Sequence, residues 1–396
     1  MNDQYYIITD IIVTTGMRGY NSHIRKITDV FELLSYSSRY IMEVMPCVPL
    51  PLIKYSDYST TELKLGKYYD LLDLDTFRYF ISLGINIQIN HIIQWTSACG
   101  HIEILQFLID NGVDVRANNN SAIQTACREG YLNIVKLLIN CGADIADNDN
   151  RAIQVASQEG HLDIVKLLIN CGADVTANNN RSIQVASREG HLDIIKLLIN
   201  YGADVTANNN LSIIAACGCS SLEIVKLLIT HGADITANNN EPIRLSSMRG
   251  NLEIVKLLIT IGVDITANNN EAIRLASKYG HLDTVRLLIA NGADITVKHN
   301  YAVKLAAANG YLEVVKLLID HGANKNCAIE SAIKAERLEI IKLLITYGAD
   351  IITNDYAIKL ASEYGYTEIV ELLIIYGANE DYAIQKANEN EHILCP

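Results

Sequence analysis

The sequence predicts an all-α solenoid, and a fixed internal period is the main observation behind that prediction. The chain of 396 residues matches itself at intervals of 30 residues from about His91 to Asp381. Each period holds two segments with apolar residues at helical spacing, and a glycine follows each segment. Such a period is typical of stacked units that bury their apolar faces only against their neighbours. We expect about ten helix-turn-helix units.

Residues 1–73 do not fit the period and predict a small N-terminal α/β cap segment. Tyr5–Val13 and Arg39–Met45 are rich in β-branched and aromatic residues, as strands are. Between them, Ile27–Tyr36 has helical spacing. Thr61–Leu72 fits a strand or the degraded first helix of a repeat, and a strand is the preferred interpretation.

The periodic part begins with half a repeat. Residues 74–90 contain the second helix of a degenerate first repeat, and the repeat array is expected over 91–381. Repeats open at positions 91, 121, 151, 181, 211, 241, 271 and 301, and further ones follow from about 327 and 356. Residues 382–396 predict a C-terminal capping helix with one polar side, as the uncovered end of an array requires.

The repeat over 181–210 illustrates its first helix. Asn180 is predicted to cap this helix by accepting the free N–H groups of the first turn. Ile183, Ala186 and Ser187 predict a narrow face of small side chains that lets neighbouring repeats approach. Gly190 is predicted to end the helix.

The second helix of the same repeat is amphipathic. Asp193 and Lys196 are predicted to pair on its outer side, and Gly202 to end it. Ala203–Asn210 predicts a short hairpin-like turn, for which asparagine suits because it tolerates positive φ. The apolar stripe is expected on Leu192, Ile195, Leu198 and Ile199.

The pattern from Gly160 to Asp174, GHLDIVKLLINCGAD, resembles the ankyrin repeat and recurs over about three quarters of the chain. The resemblance implies paired antiparallel helices with outward turns, and a partner surface on the concave face and turn tips. The 30-residue units behind a tyrosine-rich N-terminal segment are similar to ankyrin proteins of giant DNA viruses. The family unit has about 33 residues, so the turn here is shorter, and Arg181-Ser182-Ile183-Gln184 replaces the family's T-P-L-H opening.

Composition restricts the function classes. A net charge of −13 argues against nucleic-acid binding and against a polybasic membrane anchor. The N-terminal residues lack the pattern of a secretory signal, and apolar runs of four or five residues are too short for a membrane span. We expect an intracellular protein, cytoplasmic or nuclear, that is not secreted. Nine scattered cysteines predict reduced, buried or semi-buried thiols.

Nothing in the sequence predicts an enzyme, a metal site, a cofactor or a small-molecule substrate. Histidines 101, 161, 191 and 281 recur once per repeat, which is too far apart for one ion, and a loop-bracing role is preferred. Cys217 and Cys219 form a lone C-x-C without a second pair at zinc spacing.

The positions that vary between repeats are the candidates for partner binding. They open the first helix, take its fourth place, or directly precede its final glycine. The predicted partner-binding residues are Arg151, Arg181, Arg188, Leu211, Ile214, Arg244, Met248, Arg249, Arg274, Lys278, Tyr279 and Tyr301. Leu211 and Ile214 are apolar where other repeats are polar, which fits either an interaction hot spot or a decayed repeat.

These observations predict a non-catalytic protein–protein interaction scaffold with an unidentified protein partner. The acidic chain favours a basic or neutral partner. Two alternatives stay open: a substrate-recruiting adaptor of a ubiquitin ligase that acts through the N-terminal segment, and a structural or self-associating virion or scaffold protein.

Overall fold

The computed structural model describes residues 5–9, 23–26, 40–46, 63–82, 90–352 and 355–385. The chain divides into two compact units, an N-terminal unit (Met1–Asp204) and a C-terminal unit (Val205–Pro396). The predicted helix at Ile27–Tyr36 lies outside the described residues, as do positions 386–396 of the predicted capping helix.

A four-stranded antiparallel sheet opens the N-terminal unit, in the order β2-β1-β3-β4. β1 and β3 are the central strands, with Ile7 opposite Met42, and β3 pairs with β4 across an irregularity between Met42 and Val44. The strands predicted near residues 5, 39 and 61 are confirmed with different bounds. β2 was not predicted, because four residues with three basic side chains give too weak a strand pattern. The strands are β1 (Tyr5–Thr9), β2 (His23–Lys26), β3 (Tyr40–Pro46) and β4 (Leu63–Asp70).

Helices follow the sheet directly. The Tyr69 ring of β4 lies 5.4 Å from Tyr79 and 5.3 Å from Phe80, which joins the sheet to the first helix. The helices of the N-terminal unit are α1 (Leu74–Ser82), α2 (Asn90–Cys99), α3 (Ile102–Asp110), α4 (Ala117–Glu129), α5 (Leu132–Asn140), α6 (Asp147–Glu159), α7 (Leu162–Asn170), α8 (Ala177–Glu189) and α9 (Leu192–Asn200).

The C-terminal unit continues the same alternation of helices. Its helices are α10 (Ala207–Cys219), α11 (Leu222–Thr230), α12 (Ala237–Arg249), α13 (Leu252–Ile261), α14 (Ala267–Lys278), α15 (Leu282–Ala290), α16 (Val297–Asn309), α17 (Leu312–Asp320), α18 (Lys325–Lys334), α19 (Leu338–Thr346), α20 (Tyr356–Tyr364) and α21 (Thr367–Ile375). Residues 381–385 are helical again. In the described residues, α2–α9 form four helix pairs and α10–α21 form six, so the predicted ten or so are confirmed.

Burial is more extensive on the first helices than the sequence analysis predicted. In α8 every residue from 182 to 187 is buried, because this helix contacts its neighbour α6 and its own second helix α9. In α9 the buried residues are Ile194, Ile195 and Leu198, whereas Leu192 and Ile199 are partly exposed. The predicted stripe is therefore rotated. The predicted Asp193–Lys196 pair is present at 3.3 Å between two exposed side chains.

The connection between repeats is a tight turn through three left-handed residues, and the positive φ predicted for its asparagines is confirmed. Asn208, Asn209 and Asn210 have φ of 53°, 53° and 60°, and the same three positions are left-handed at 118–120, 148–150, 178–180, 238–240, 268–270 and 298–300. The left-handed region costs most residues about 1–2 kcal/mol, and asparagine is among the few that enter it routinely. Three successive asparagines therefore permit a tight connection between repeats.

Asparagine side chains join successive turns. The Asn150 Oδ1 accepts the backbone N–H of Asp174 at 2.9 Å, and the Asn180 Oδ1 accepts that of Asp204 at 2.8 Å. The predicted helix-capping role of Asn180 is wrong, because its left-handed φ of 61° differs from an N-cap and its oxygen serves the next turn. Asparagine does cap a helix at Asn324, whose oxygen accepts the N–H of Asn326 at 2.9 Å. There the connection lacks the left-handed turn.

Candidate functional site

The side chains that vary between repeats share one side of each first helix. Counting from the residue after the left-handed turn, they take the first, fourth, eighth and ninth places, and the first, fourth and eighth lie at i, i+3 and i+7. We call these positions the variable face. In the N-terminal unit it lies on α4, α6 and α8, and in the C-terminal unit on α10, α12, α14 and α16.

The fourth place of the variable face closes the left-handed turn. Gln154 Nε2 donates to the Asp149 carbonyl at 2.6 Å, and Gln184 Nε2 donates to the Asn179 carbonyl at 2.6 Å. Both glutamine side chains are buried. These contacts satisfy a carbonyl that the left-handed turn leaves without a helical partner. A long donor recurs at the fourth place after the turn and is visible in the sequence, but the sequence analysis did not predict its partner.

Arginine takes the same role in two repeats of the C-terminal unit. Arg274 Nε donates to the Asn269 carbonyl at 3.0 Å, and its Nη2 donates to Asn268 at 2.9 Å. Arg244 Nη1 lies 3.3 Å from the carbonyls of Asn238 and Asn239. Arg244 and Arg274 are thus engaged within the chain.

The repeat over 211–240 departs from its neighbours inside the core. Ile214 takes the fourth place, and only 6% of it is exposed. The prediction that Ile214 binds a partner is therefore corrected, because its side chain is buried. Gln154 and Gln184 at the same place are also buried, but isoleucine has no donor with which to close the turn. Leu211 is half-buried and remains on the variable face. Ser220 holds the left-handed φ of 70° where most other first helices have glycine.

Contacts between successive first helices order the variable face of the C-terminal unit. Arg244 Nε lies 3.0 Å from Glu271 Oε2, so the fourth place of one repeat pairs with the first place of the next. One repeat later, the Arg274 guanidinium lies over the Tyr301 ring at 5.9 Å. These contacts hold Tyr301 in place at low cost in side-chain entropy.

Aromatic and basic side chains dominate the exposed part of this face. Tyr279 is 41% exposed and Tyr301 is 42% exposed. The Lys278 Nζ lies over the Tyr279 ring at 5.2 Å. Arg249 is exposed and Met248 is half-buried. The composition matches that of protein interface centres, in which tyrosine, arginine and methionine are enriched.

The variable face of the N-terminal unit carries arginines. Arg151 and Arg181 open equivalent helices and are half-buried, and Arg188 is exposed. Partial burial lowers the pKa of Arg181, and the positive charges of Arg188 and Arg151 lower it further. The three cations are therefore close enough to repel one another.

The recurring histidines brace the preceding repeat, as predicted. His161 Nε2 donates to the Arg128 carbonyl, and His191 Nε2 donates to the Gln158 carbonyl, each at 2.9 Å. His281 makes the same contact with Met248. Within the described part of the chain, no three His, Cys, Asp or Glu side chains are grouped to hold a metal ion.

The cysteines are of two kinds. Burial raises the pKa of the Cys127 thiol and raises the pKa of Cys217 to about 12. Cys141 and Cys171 are exposed, because they follow the second helices at the surface, and the prediction of buried or semi-buried thiols is wrong for them. Cys47 and Cys395 lie outside the described residues.

No helix among the described residues combines the length and apolar character that crossing a membrane requires. A family model described as ankyrin repeats in three copies matches residues 72–149, 92–179, 146–209, 211–299 and 298–355. A protein of Acanthamoeba polyphaga mimivirus, named as an ankyrin repeat protein, is 33% identical over 57 residues, which is 14% of this chain. The match spans 28% of that relative's length. The helix pairs, the glycines that end them and the bracing histidines all lie in the region that the family model covers. Because that region is well over half of the residues, this chain belongs to the ankyrin repeat family.

Proposed function

We propose that this protein is a non-catalytic scaffold whose protein partner lies across the variable face. In the C-terminal unit the proposed contact residues are Leu211, Met248, Arg249, Lys278, Tyr279 and Tyr301. Ankyrin repeats indicate protein–protein interaction in general, and the matched family is a repeat family without a catalytic constellation of its own.

One observation carries the proposal: two tyrosines on neighbouring first helices stay partly exposed beside a well-packed core. The adjoining core residues Ile273 and Ala276 are fully buried, while Tyr279 and Tyr301 are 41% and 42% exposed. Tyrosine supplies large contact area at low conformational cost, and a cation over each ring adds a charged group beside it. Interface residues of this kind commonly contribute about 2 kcal/mol or more to binding.

The test is affinity capture from source cells with quantitative mass spectrometry. The baits are the intact chain, a Tyr279→Ala/Tyr301→Ala variant, and a matched Tyr201→Ala/Tyr376→Ala control. Tyr201 and Tyr376 are 54% and 48% exposed at the ends of second helices, away from the variable face. Circular dichroism and thermal melting verify that all three baits are folded.

We expect a partner that the intact chain and the control retain and that the variant loses by about tenfold or more, because a hot-spot loss above ~1.4 kcal/mol has that effect. An identical set of proteins on all three baits contradicts the proposed face. Recovery of further copies of this chain alone supports a self-associating role instead.

A further inference from the structure

Arg151, Arg181 and Arg188 form a positive cluster on the N-terminal unit, here called the arginine patch. Arg151 and Arg181 take the first place on α6 and α8, which pack against each other. Neighbouring helices lie ~8–10 Å apart. Arg188 follows Arg181 by seven residues, which is two turns of α8 and about 10 Å along the same side. The three positions thus define two arms of about equal length.

The guanidinium groups of the arginine patch form no ion pair within the described part of the chain. Among residues 90–352 and 355–385, every ion pair involves other cations, such as Arg244 with Glu271. No side-chain hydrogen bond ties the three guanidinium groups to a carboxylate in the same ranges. The chain has 45 acidic residues against 32 Lys and Arg. The arginine patch is therefore a local region of positive charge on a protein whose net charge is negative.

We infer that the arginine patch binds an acidic peptide segment whose carboxylates recur at every third residue. This inference rests on the proposed scaffold function and names the chemistry of its partner. Arginine suits this role because its planar guanidinium binds a carboxylate through two parallel hydrogen bonds. This partner differs from the basic or neutral one that the net charge of the whole chain favours, because local charge at the binding face counts for more than net charge.

The distances between the arginines determine which spacing of carboxylates along a peptide can match them. In a polyproline II segment, residues i and i+3 lie on the same side and ~9.3 Å apart, which matches the length of either arm. One arm runs across the helices and the other runs along α8, so a straight segment follows one arm and contacts two of the three arginines. In a β-strand, same-side residues are i and i+2, about 6.7 Å apart, which falls short of both arms. A proline-containing acidic segment is also preorganised, so it loses less entropy on binding.

A peptide fits the patch better than a nucleic acid does. Glu159 and Glu189 take the ninth places of α6 and α8 and are exposed close to the arginines along each helix. A nucleic acid carries a negative phosphate at every nucleotide, so some phosphates would lie beside these carboxylates and be repelled. A peptide with an acidic side chain only at every third residue can place uncharged residues there. The net charge of −13 adds long-range repulsion against a polyanion.

The test uses the full chain and two fluorescein-labelled peptides of equal composition. EPPEPPEPPE places glutamate at every third residue, and EPEPEPEPPP places it at every second. The variants are Arg151→Glu/Arg181→Glu and a control of equal charge change, Lys226→Glu/Arg286→Glu. Lys226 and Arg286 are exposed on the second helices α11 and α15. Fluorescence anisotropy gives the Kd of each combination, and an oligothymidylate of equal charge is the competing polyanion.

We expect the first peptide to bind about tenfold more tightly than the second, because an additional guanidinium–carboxylate contact forms. The arginine variant loses this binding and the control keeps it within about twofold, as exposed charges at a distance have little effect. Equal affinity for both peptides, equal loss in both variants, or equal binding of the oligothymidylate overturns the inference. If neither peptide binds while capture still depends on Tyr279 and Tyr301, the acidic partner is wrong and the scaffold function stands.

Discussion

At the scale of single residues, the left-handed asparagines are what distinguish this array. Three successive positive φ values at Asn178, Asn179 and Asn180 are unfavourable for most residues, and the turn survives because side chains compensate. The Asn180 Oδ1 accepts the N–H of Asp204, and Gln184 Nε2 donates to Asn179. The tight connection therefore depends on polar contacts of specific side chains.

Two neighbouring asparagines separate backbone strain from the side-chain bond. Asn179→Ala and Asn180→Ala both place alanine at a left-handed φ, but the Asn179 side chain is exposed and the Asn180 side chain is buried. We expect Asn180→Ala to lower the free energy of unfolding by about 0.5–1.5 kcal/mol more than Asn179→Ala, since only the former removes the partly buried hydrogen bond to the N–H of Asp204. Urea denaturation followed by circular dichroism measures the difference, and equal losses would contradict the bridging role.

Asn180 shows which features of the turn could be predicted from the sequence and which could not. The asparagine run predicted a turn with positive φ, because that preference is local and belongs to the residue type. Its side-chain partner lies 24 residues ahead in the next turn. A cap was the natural prediction from local rules, and only the stacking of repeats reveals the longer contact.

At the scale of helices, a ring from the next repeat covers the glycine that ends the first helix in several repeats, at Gly100, Gly130, Gly160, Gly250 and Gly280. A Cβ on Gly160 would lie 2.6 Å from His191 Cε1, and a Cβ on Gly100 would lie 2.8 Å from Tyr131 Cζ. The His191 ring is also hydrogen-bonded to the Gln158 carbonyl at 2.9 Å. Glycine at this place serves both the left-handed φ and the close approach of the next repeat.

This contact predicts a difference between two glycine substitutions. Gly160 and Gly202 have φ of 85° and 93°, so alanine is strained at both, but no atom lies within 4 Å of a Cβ at Gly202. We expect Gly160→Ala to cost about 1–3 kcal/mol more than Gly202→Ala, because the His191 ring must move and lose its hydrogen bond.

Thermal and urea denaturation of both variants measure this cost. A His191→Ala background is the control, since removing the ring should bring the two alanine substitutions to nearly equal cost. An unchanged difference in that background would show that the ring is not the cause.

Helix positions were predictable from the sequence, whereas helix faces were only partly so. Periodicity and glycine stops located α8 and α9 well, because helical spacing and left-handed stops are local signals. The buried residue Ile194 was missed and Ile214 was assigned to a partner, because burial depends on the helix on the next repeat. Gln184 and Arg274 at the fourth place are engaged for a different, local reason, since each donates to a carbonyl of the left-handed turn five residues before it.

At the scale of the whole molecule, the two compact units present different variable faces. The N-terminal unit carries unpaired arginines at Arg151, Arg181 and Arg188, and the C-terminal unit carries Tyr279 and Tyr301 beside cations. The core beneath both is made of the same recurring aliphatic residues. The two units thus combine a similar core with variable faces of different chemistry. A scaffold that selects its partners requires such a difference between its binding surfaces.

The measurement that most directly tests the variable face is site-specific photo-crosslinking. A benzophenone amino acid replaces Tyr279 or Tyr301 on the face, and Tyr201 or Tyr376 away from it, in the full chain within source cells. The account predicts a covalent partner adduct from Tyr279 and Tyr301 and none above background from Tyr201 and Tyr376. An adduct of equal yield from all four positions, or one from Tyr201 and Tyr376 alone, would contradict it.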